Sequence, residues 1–218
     1  MRPCTHFSVL HRAITGRLTR LRSVAVVASN RPLSEFSRAN LEMSFVTVEL
    51  HTAIANFLRA YFLSCILHPF TMGGRAVSCH PSVGNFRDAI DASMKACKNS
   101  VWAKAGGKKI WSRREEPSWH QPESLIKSCS EIGCSHQHDI VAAFSVPTRV
   151  FGDLTKFRNF YAHRNEETIT SARSLGLAYG IYSGHPSQIL AAFAYSRPQP
   201  LILDWIDDTQ NTIGLLCQ

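Results

Sequence analysis

The sequence predicts an all-α fold. Three observations carry that expectation. Apolar residues recur at helical spacing along most of the chain, and proline and glycine clusters punctuate those runs. No strand-like alternation persists over five residues, except briefly near 175–182. With 218 residues and 44% hydrophobic content, the chain is long enough to bury a sizeable core.

Taken in order, Leu10, Ile14, Leu18, Leu21 and Ala25 repeat at amphipathic spacing and predict a helix over about 6–28. A turn through Asn30-Arg31-Pro32 follows. A second helix is expected from about 41 to 67, stopped by His68-Pro69. Its apolar run is interrupted by Glu49, His51, Asn56 and Arg59, so it reads as a buried helix and not as a membrane span. After loop signals at Met72-Gly73-Gly74 and Cys79-His80-Pro81, residues 82–98 read as a helix with Phe86, Ile90, Met94 and Cys97 on one face. Residues 104–122 read as irregular. Helices are expected at about 122–133, 138–146 and 148–164, with Val150, Phe151, Leu154, Phe157 and Tyr161 forming the buried stripe of the last. A loop carrying Gly180, Gly184 and Pro186 leads to a helix at about 186–196. After Arg197-Pro198-Gln199-Pro200 a final helix runs to the end, with Leu201, Leu203, Trp205, Ile206, Ile213 and Leu216 available for the core. The resulting division is a basic amphipathic helix and turn at 1–40, followed by a helical domain at 41–218 that carries a basic, tryptophan-containing loop at 98–122.

The net charge of +8 implies a polyanionic partner without choosing among RNA, DNA and membrane. The first forty residues hold seven arginines and one acid, Glu35. That composition resembles a mitochondrial presequence, but the regular apolar spacing favours a structural helix. Seven scattered cysteines and no secretory leader imply reduced thiols and a cytoplasmic protein.

Between Lys95 and His120, the cations Lys98, Lys104, Lys108, Lys109, Arg113 and Arg114 interleave with Trp102, Trp111 and Trp119. Cations bind backbone phosphates and tryptophan faces stack bases, so this composition suits single-stranded nucleic acid. The competing expectation is that the tryptophans anchor an irregular loop to the core. Glu115, Glu116, Trp119 and His120 lie in a proline-bracketed stretch and are weighed as supporting or substrate-contacting groups. Cys129, Cys134, His136 and His138 form a C-x4-C-x-H-x-H set, but that is not a familiar zinc spacing and cysteines are often simply buried. No metal and no cofactor are therefore expected. No glycine-rich phosphate loop is present, which argues against nucleotide hydrolysis.

The most informative stretch is Phe157-Arg158-Asn159-Phe160-Tyr161-Ala162-His163-Arg164. Asn159 and His163 are four apart on a predicted helix and share a face. A guanidinium, an amide and an imidazole are the groups needed to hold a phosphodiester, stabilise its developing charge and move a proton. With Leu154 at the centre of the buried stripe, Arg158 falls about 40° away, Asn159 about 140° and His163 about 180°. His163 is therefore expected to face solvent in a single copy.

Arg158-Asn159-x-x-x-His163 resembles the R-x4-H signature of HEPN domains, in the variant with asparagine after the arginine. The resemblance implies an all-α, HEPN-like helical bundle over about 41–218 that dimerises through the motif helix, bringing both motifs into one cleft. It implies a metal-independent endoribonuclease, as in bacterial toxins and phage-defence effectors, with RNA, a second copy and an antitoxin or other regulatory protein as partners and no membrane. Arg158 would bind the phosphate, Asn159 would hold His163 or the phosphate, and His163 would transfer the proton. Tyr161, Arg164 and Asn165 are supporting candidates, Arg164 as an RNA contact. Some members carry a tyrosine two residues after the histidine, where a partner enzyme modifies it. Asn165 occupies that position here, which puts that regulation in doubt. The alternatives are a non-catalytic HEPN module that binds RNA or protein, and an unrelated helical adaptor.

Overall fold

The computed structural model describes residues 1–34, 37–98, 112–182, 184–195 and 197–218. Among them lie nine α-helices: α1 (Phe7–Ser29), α2 (Arg38–Cys65), α3 (Phe86–Lys98), α4 (Pro122–Glu131), α5 (Gln137–Phe144), α6 (Val150–His163), α7 (Glu166–Ala178), α8 (Pro186–Ala191) and α9 (Leu201–Cys217). The only extended pairing among described residues is three isolated bridges, so the all-α expectation holds. No helix among the described residues is long and apolar enough to cross a membrane.

The chain divides into two compact units. One comprises Met1–Ile14, Ile54–Pro147 and Thr212–Gln218, and the other Thr15–Ala53 and Thr148–Asn211. In the first unit Phe7 stacks on Tyr61 at 4.3 Å, and Phe62 on Trp119 at 5.1 Å. In the second, Trp205 takes the edges of Phe157 at 5.6 Å and Tyr179 at 6.0 Å. The predicted stripes are buried throughout: Leu10, Ile14, Leu18, Leu21 and Ala25 on α1, and Val150, Phe151, Leu154, Phe157 and Tyr161 on α6.

Two helices differ from the sequence expectation. The helix expected at about 186–196 ends at Ala191, and none is expected between 164 and the loop carrying Gly180, yet Glu166–Ala178 is α7. Its Thr, Ser and Gly content weakens intrinsic helix propensity, but its ends are well specified. The Asn165 side chain accepts the Thr168 N–H at 2.9 Å, and Glu166 and Glu167 sit in the first turn, where carboxylates suit the helix dipole. The far end closes on Gly180 at φ +74°. There the Ile181 N–H reaches the Gly176 carbonyl and the Gly180 N–H the Leu177 carbonyl, both at 2.9 Å, which is a Schellman cap. Gly176 also lets α7 approach α8 closely, since a Cβ there would lie 2.8 Å from Ile189. Tertiary packing holds a helix that its composition alone does not announce.

Candidate functional site

The second unit positions the R-x4-H residues. Entry to α6 is fixed by Thr148, whose hydroxyl donates to Asp208 at 2.9 Å and faces the Val150 N–H at 3.4 Å. One turn in, the buried Asp153 accepts the Tyr179 hydroxyl at 2.9 Å and pairs with Arg149 at 3.1 Å. Burial and the Asp153 charge push the Tyr179 phenol well above its usual range, so it is a fixed donor. These contacts tie the C-terminal end of α7 to the start of α6 and set the helix that carries the motif.

Arg158 and Asn159 are both half-buried, and the Arg158 guanidinium donates to Asn159 Oδ1 at 3.2 Å. His163 ends the helix and is exposed, as its position opposite the buried stripe predicts. Its ring has no hydrogen-bond partner among the described residues. Arg164 caps α6 in the left-handed region at φ 47°, with its N–H on the Phe160 carbonyl at 2.8 Å. A non-glycine residue held there is uncommon and turns the chain sharply from α6 to α7. Asn165, a supporting candidate by sequence, serves as the cap of α7.

Beyond this turn opens a cleft of about 240 Å³ lined by Asn40, Phe160, Tyr161, Arg164, Ile169, Arg173, Gly184, His185 and Pro186. Two guanidiniums, an imidazole and an amide line it, and no carboxylate does. On its wall the Tyr161 hydroxyl donates to Ser187 Oγ at 2.6 Å, and Ser187 donates in turn to Asn40 Oδ1. Burial raises the Tyr161 phenol well above its usual range, so it remains a neutral donor in this chain. The imidazole of His185 accepts the Ser187 N–H at 3.2 Å, its ring edge-on to Phe160 at 5.7 Å. Arg173 is braced by a bond from Nε to the Gly184 carbonyl at 2.5 Å, which leaves its terminal nitrogens for a ligand. Arg173, His185 and Asn40 are absent from the sequence reading. Arg173 lies on α7, so missing that helix meant missing the residue. The Gly184-His185-Pro186 run, a helix start with proline at N1, was the available signal for His185.

The basic segment divides. Lys104, Lys108, Lys109, Trp102 and Trp111 lie outside the described residues, as does the side chain of Lys98. Arg113 is exposed but donates to Asn56 Oδ1, and Arg114 is exposed. Trp119 is buried, stacks on Phe62 and donates to Glu116 at 2.8 Å. It therefore anchors the core and offers no face to a base. Glu116 is likewise structural, receiving Arg59 through two bonds at 2.5 and 2.7 Å.

The Cys/His set is also separated. His136 is buried, with Nδ1 2.9 Å from Arg75 and 3.1 Å from Asp139, and Nε2 3.3 Å from the Leu216 carbonyl. Burial holds its imidazole below the ordinary histidine value. His138 is exposed. Cys129 and Cys134 instead meet Cys65.

Neither a protein-family model, nor a curated protein, nor a solved structure gives a significant match. The functional reading therefore rests on the site's own chemistry.

Proposed function

We propose that the protein binds RNA at the C-terminal end of α6 and cleaves it without a metal ion, as a homodimeric HEPN-type endoribonuclease. The observation that carries this reading is the cleft at the turn after α6, lined by Arg164, Arg173, His185 and Asn40 and by no carboxylate; Arg158, Asn159 and His163 are not among its lining residues. Such a lining attracts a phosphodiester and repels none of its charge. Arg158, preoriented by Asn159, is the group that stabilises the phosphorane. His163 is the proton carrier. The ribose 2′-oxygen attacks phosphorus, the bond to the 5′-oxygen breaks, and the products are a 2′,3′-cyclic phosphate and a 5′-hydroxyl. The 2′-hydroxyl proton leaves to a base and the 5′-oxygen gains one from an acid, and an exposed imidazole serves either role near neutral pH. A lone copy fixes His163 poorly, so the second copy supplies the facing surface. A toxin or phage-defence role, restrained by an antitoxin, is the setting such an activity fits.

A second reading, a non-catalytic RNA-binding module, draws on that same lack of a partner for His163. One experiment separates the two. Labelled RNA is incubated with the purified chain in excess chelator, and product ends and oligomeric state are measured together. Cleavage to cyclic or 3′-phosphate ends is expected, falling roughly 10²–10⁴-fold in His163→Ala and at least comparably in Arg158→Ala. Because His163 is exposed, the melting temperature of that variant should match the parent. Activity that requires magnesium, or that survives both substitutions, removes the catalytic reading. Binding without cleavage that is lost in Arg164→Gln/Arg173→Gln leaves the module.

A further inference from the structure

Far from the R-x4-H motif in sequence, the first unit brings three cysteines together. The Sγ atoms of Cys65, Cys129 and Cys134 all lie within 4.8 Å of one another, and all three residues are buried. The convergence begins locally. Gly133 follows α4 in the left-handed region at φ 60°. The Cys134 N–H then returns to the Cys129 carbonyl at 2.9 Å, and the Gly133 N–H to Ser130 at 3.1 Å. This Schellman turn folds the second cysteine of the C-x4-C pair back over the first. Cys65 arrives from the last position of α2, sixty-four residues earlier in the chain.

A fourth thiol is placed at the rim. The Ser78–His80 loop is clamped to the turn that carries Cys134 by three bonds. The Ser135 N–H reaches the Ser78 carbonyl at 2.9 Å, the Ser78 N–H reaches Ser135 Oγ at 2.9 Å, and the His80 N–H reaches the Ile132 carbonyl at 2.8 Å. Cys79 sits in the middle of this clamp, held against the turn that carries Cys134.

Buried cysteines are common, and three of them alone do not make a site. An independent feature points to a ligand. Tyr61 is fully buried and its hydroxyl has no hydrogen-bond partner. Its ionisation is suppressed by burial and then by Cys65, Cys129, Cys134 and Cys217 around it, so the orphaned hydroxyl stands among these sulfurs. A buried donor left without an acceptor is costly, and a metal-bound thiolate is the acceptor that would satisfy it.

We propose that Cys65, Cys129 and Cys134, completed by Cys79, hold a structural zinc ion, with the Tyr61 hydroxyl donating to one of the sulfurs. Zinc–sulfur bonds of about 2.3 Å place tetrahedral sulfurs about 3.8 Å apart. The sulfurs of Cys65, Cys129 and Cys134 therefore need to close by no more than about 1 Å. His136 is not the fourth ligand, since both ring nitrogens are engaged by Arg75, Asp139 and the Leu216 carbonyl. Binding is ligand exchange without redox change: the thiol protons pass to solvent and the ion sheds its waters. The site would fasten the end of α2 to the end of α4 and to the Cys79 loop.

The test uses the reduced 218-residue chain titrated with Co²⁺, which reports sulfur ligation through its charge-transfer and tetrahedral ligand-field bands, followed by displacement with Zn²⁺. One Co²⁺ per chain with thiolate bands is expected. Zinc should raise the melting temperature, and four thiols should become protected from alkylation. Cys79→Ser should weaken binding by more than the roughly 10–100-fold cost of an outer-shell change. Tyr61→Phe should weaken it within that range, while Cys217→Ser, a neighbour of Tyr61 outside the ligand set, should leave it unchanged. Cys65→Ser should abolish the bands. Since that variant can fail to fold, protection of the four thiols in the parent chain stands as the independent readout. Absence of thiolate bands in the parent, a Cys129–Cys134 disulfide in the freshly isolated chain, or equal loss in Cys217→Ser and Cys79→Ser would each overturn the proposal.

Discussion

Replacing Glu116 by alanine should be among the most costly single changes in the first unit. The carboxylate is 8% exposed and accepts three hydrogen bonds, two from Arg59 at 2.5 and 2.7 Å and one from the Trp119 indole at 2.8 Å. Removing it leaves a guanidinium and an indole N–H without their acceptor. Breaking a buried ion pair costs about 3–5 kcal/mol, because the remaining charge stays desolvated. The Arg59 side chain is 25% exposed, so water recovers part of that penalty. We therefore expect a loss of about 2–4 kcal/mol in urea unfolding, followed by far-ultraviolet circular dichroism and tryptophan fluorescence. Against a total of about 5–15 kcal/mol this is a large fraction. The double variant Arg59→Met/Glu116→Gln removes the charge and keeps an oxygen for Trp119. It should regain most of the loss, since replacing both partners avoids the uncompensated ion. Glu116→Ala within about 0.5 kcal/mol of the parent, or a double variant as unstable as the two single losses added, would refute this account. The proposed RNA cleavage, measured well below the melting temperature, should be unchanged, because Glu116 serves packing and not chemistry.

Two further changes probe the second unit. The Asp204 carboxyl is raised above its usual value, chiefly by burial, and its Oδ2 has no hydrogen-bond partner, with Arg197 4.0 Å away. A group that binds its proton more tightly when folded adds stability at acid pH. That contribution is lost as pH rises through the folded pKa, so Asp204→Asn should stabilise the chain more at pH 7 than at pH 4 in paired melting curves; an equal effect at both would dismiss the argument. Gly180→Ala combines a left-handed backbone at φ +74° with a Cβ 2.0 Å from the Tyr195 ring. The conformational cost is about 1–2 kcal/mol, and Tyr195→Ala in the same chain should relieve only the overlap. Full rescue by that second change would show that the backbone term is absent.

What was legible in the sequence is what depends on near neighbours. The stripes of α1 and α6 follow from a 3.6-residue period, and the exposure of His163 follows from its angle to Leu154. The C-terminal turn that folds Cys134 over Cys129 was also written locally, in the glycine between them. Other features needed the folded chain. α7 has weak propensity and survives through its caps and its packing on α8, so Arg173 was invisible as a partner for Arg164. Glu116 and Trp119 looked available for substrate until Arg59 and Phe62, more than fifty residues earlier, closed over them. Cys65 and the C-x4-C pair are separated by sixty-four residues, and no spacing rule joins them. Local periodicity decides which face of a helix is apolar. Which distant side chains meet beneath that face is decided by packing, because only there do burial and desolvation act on residues that the chain holds far apart.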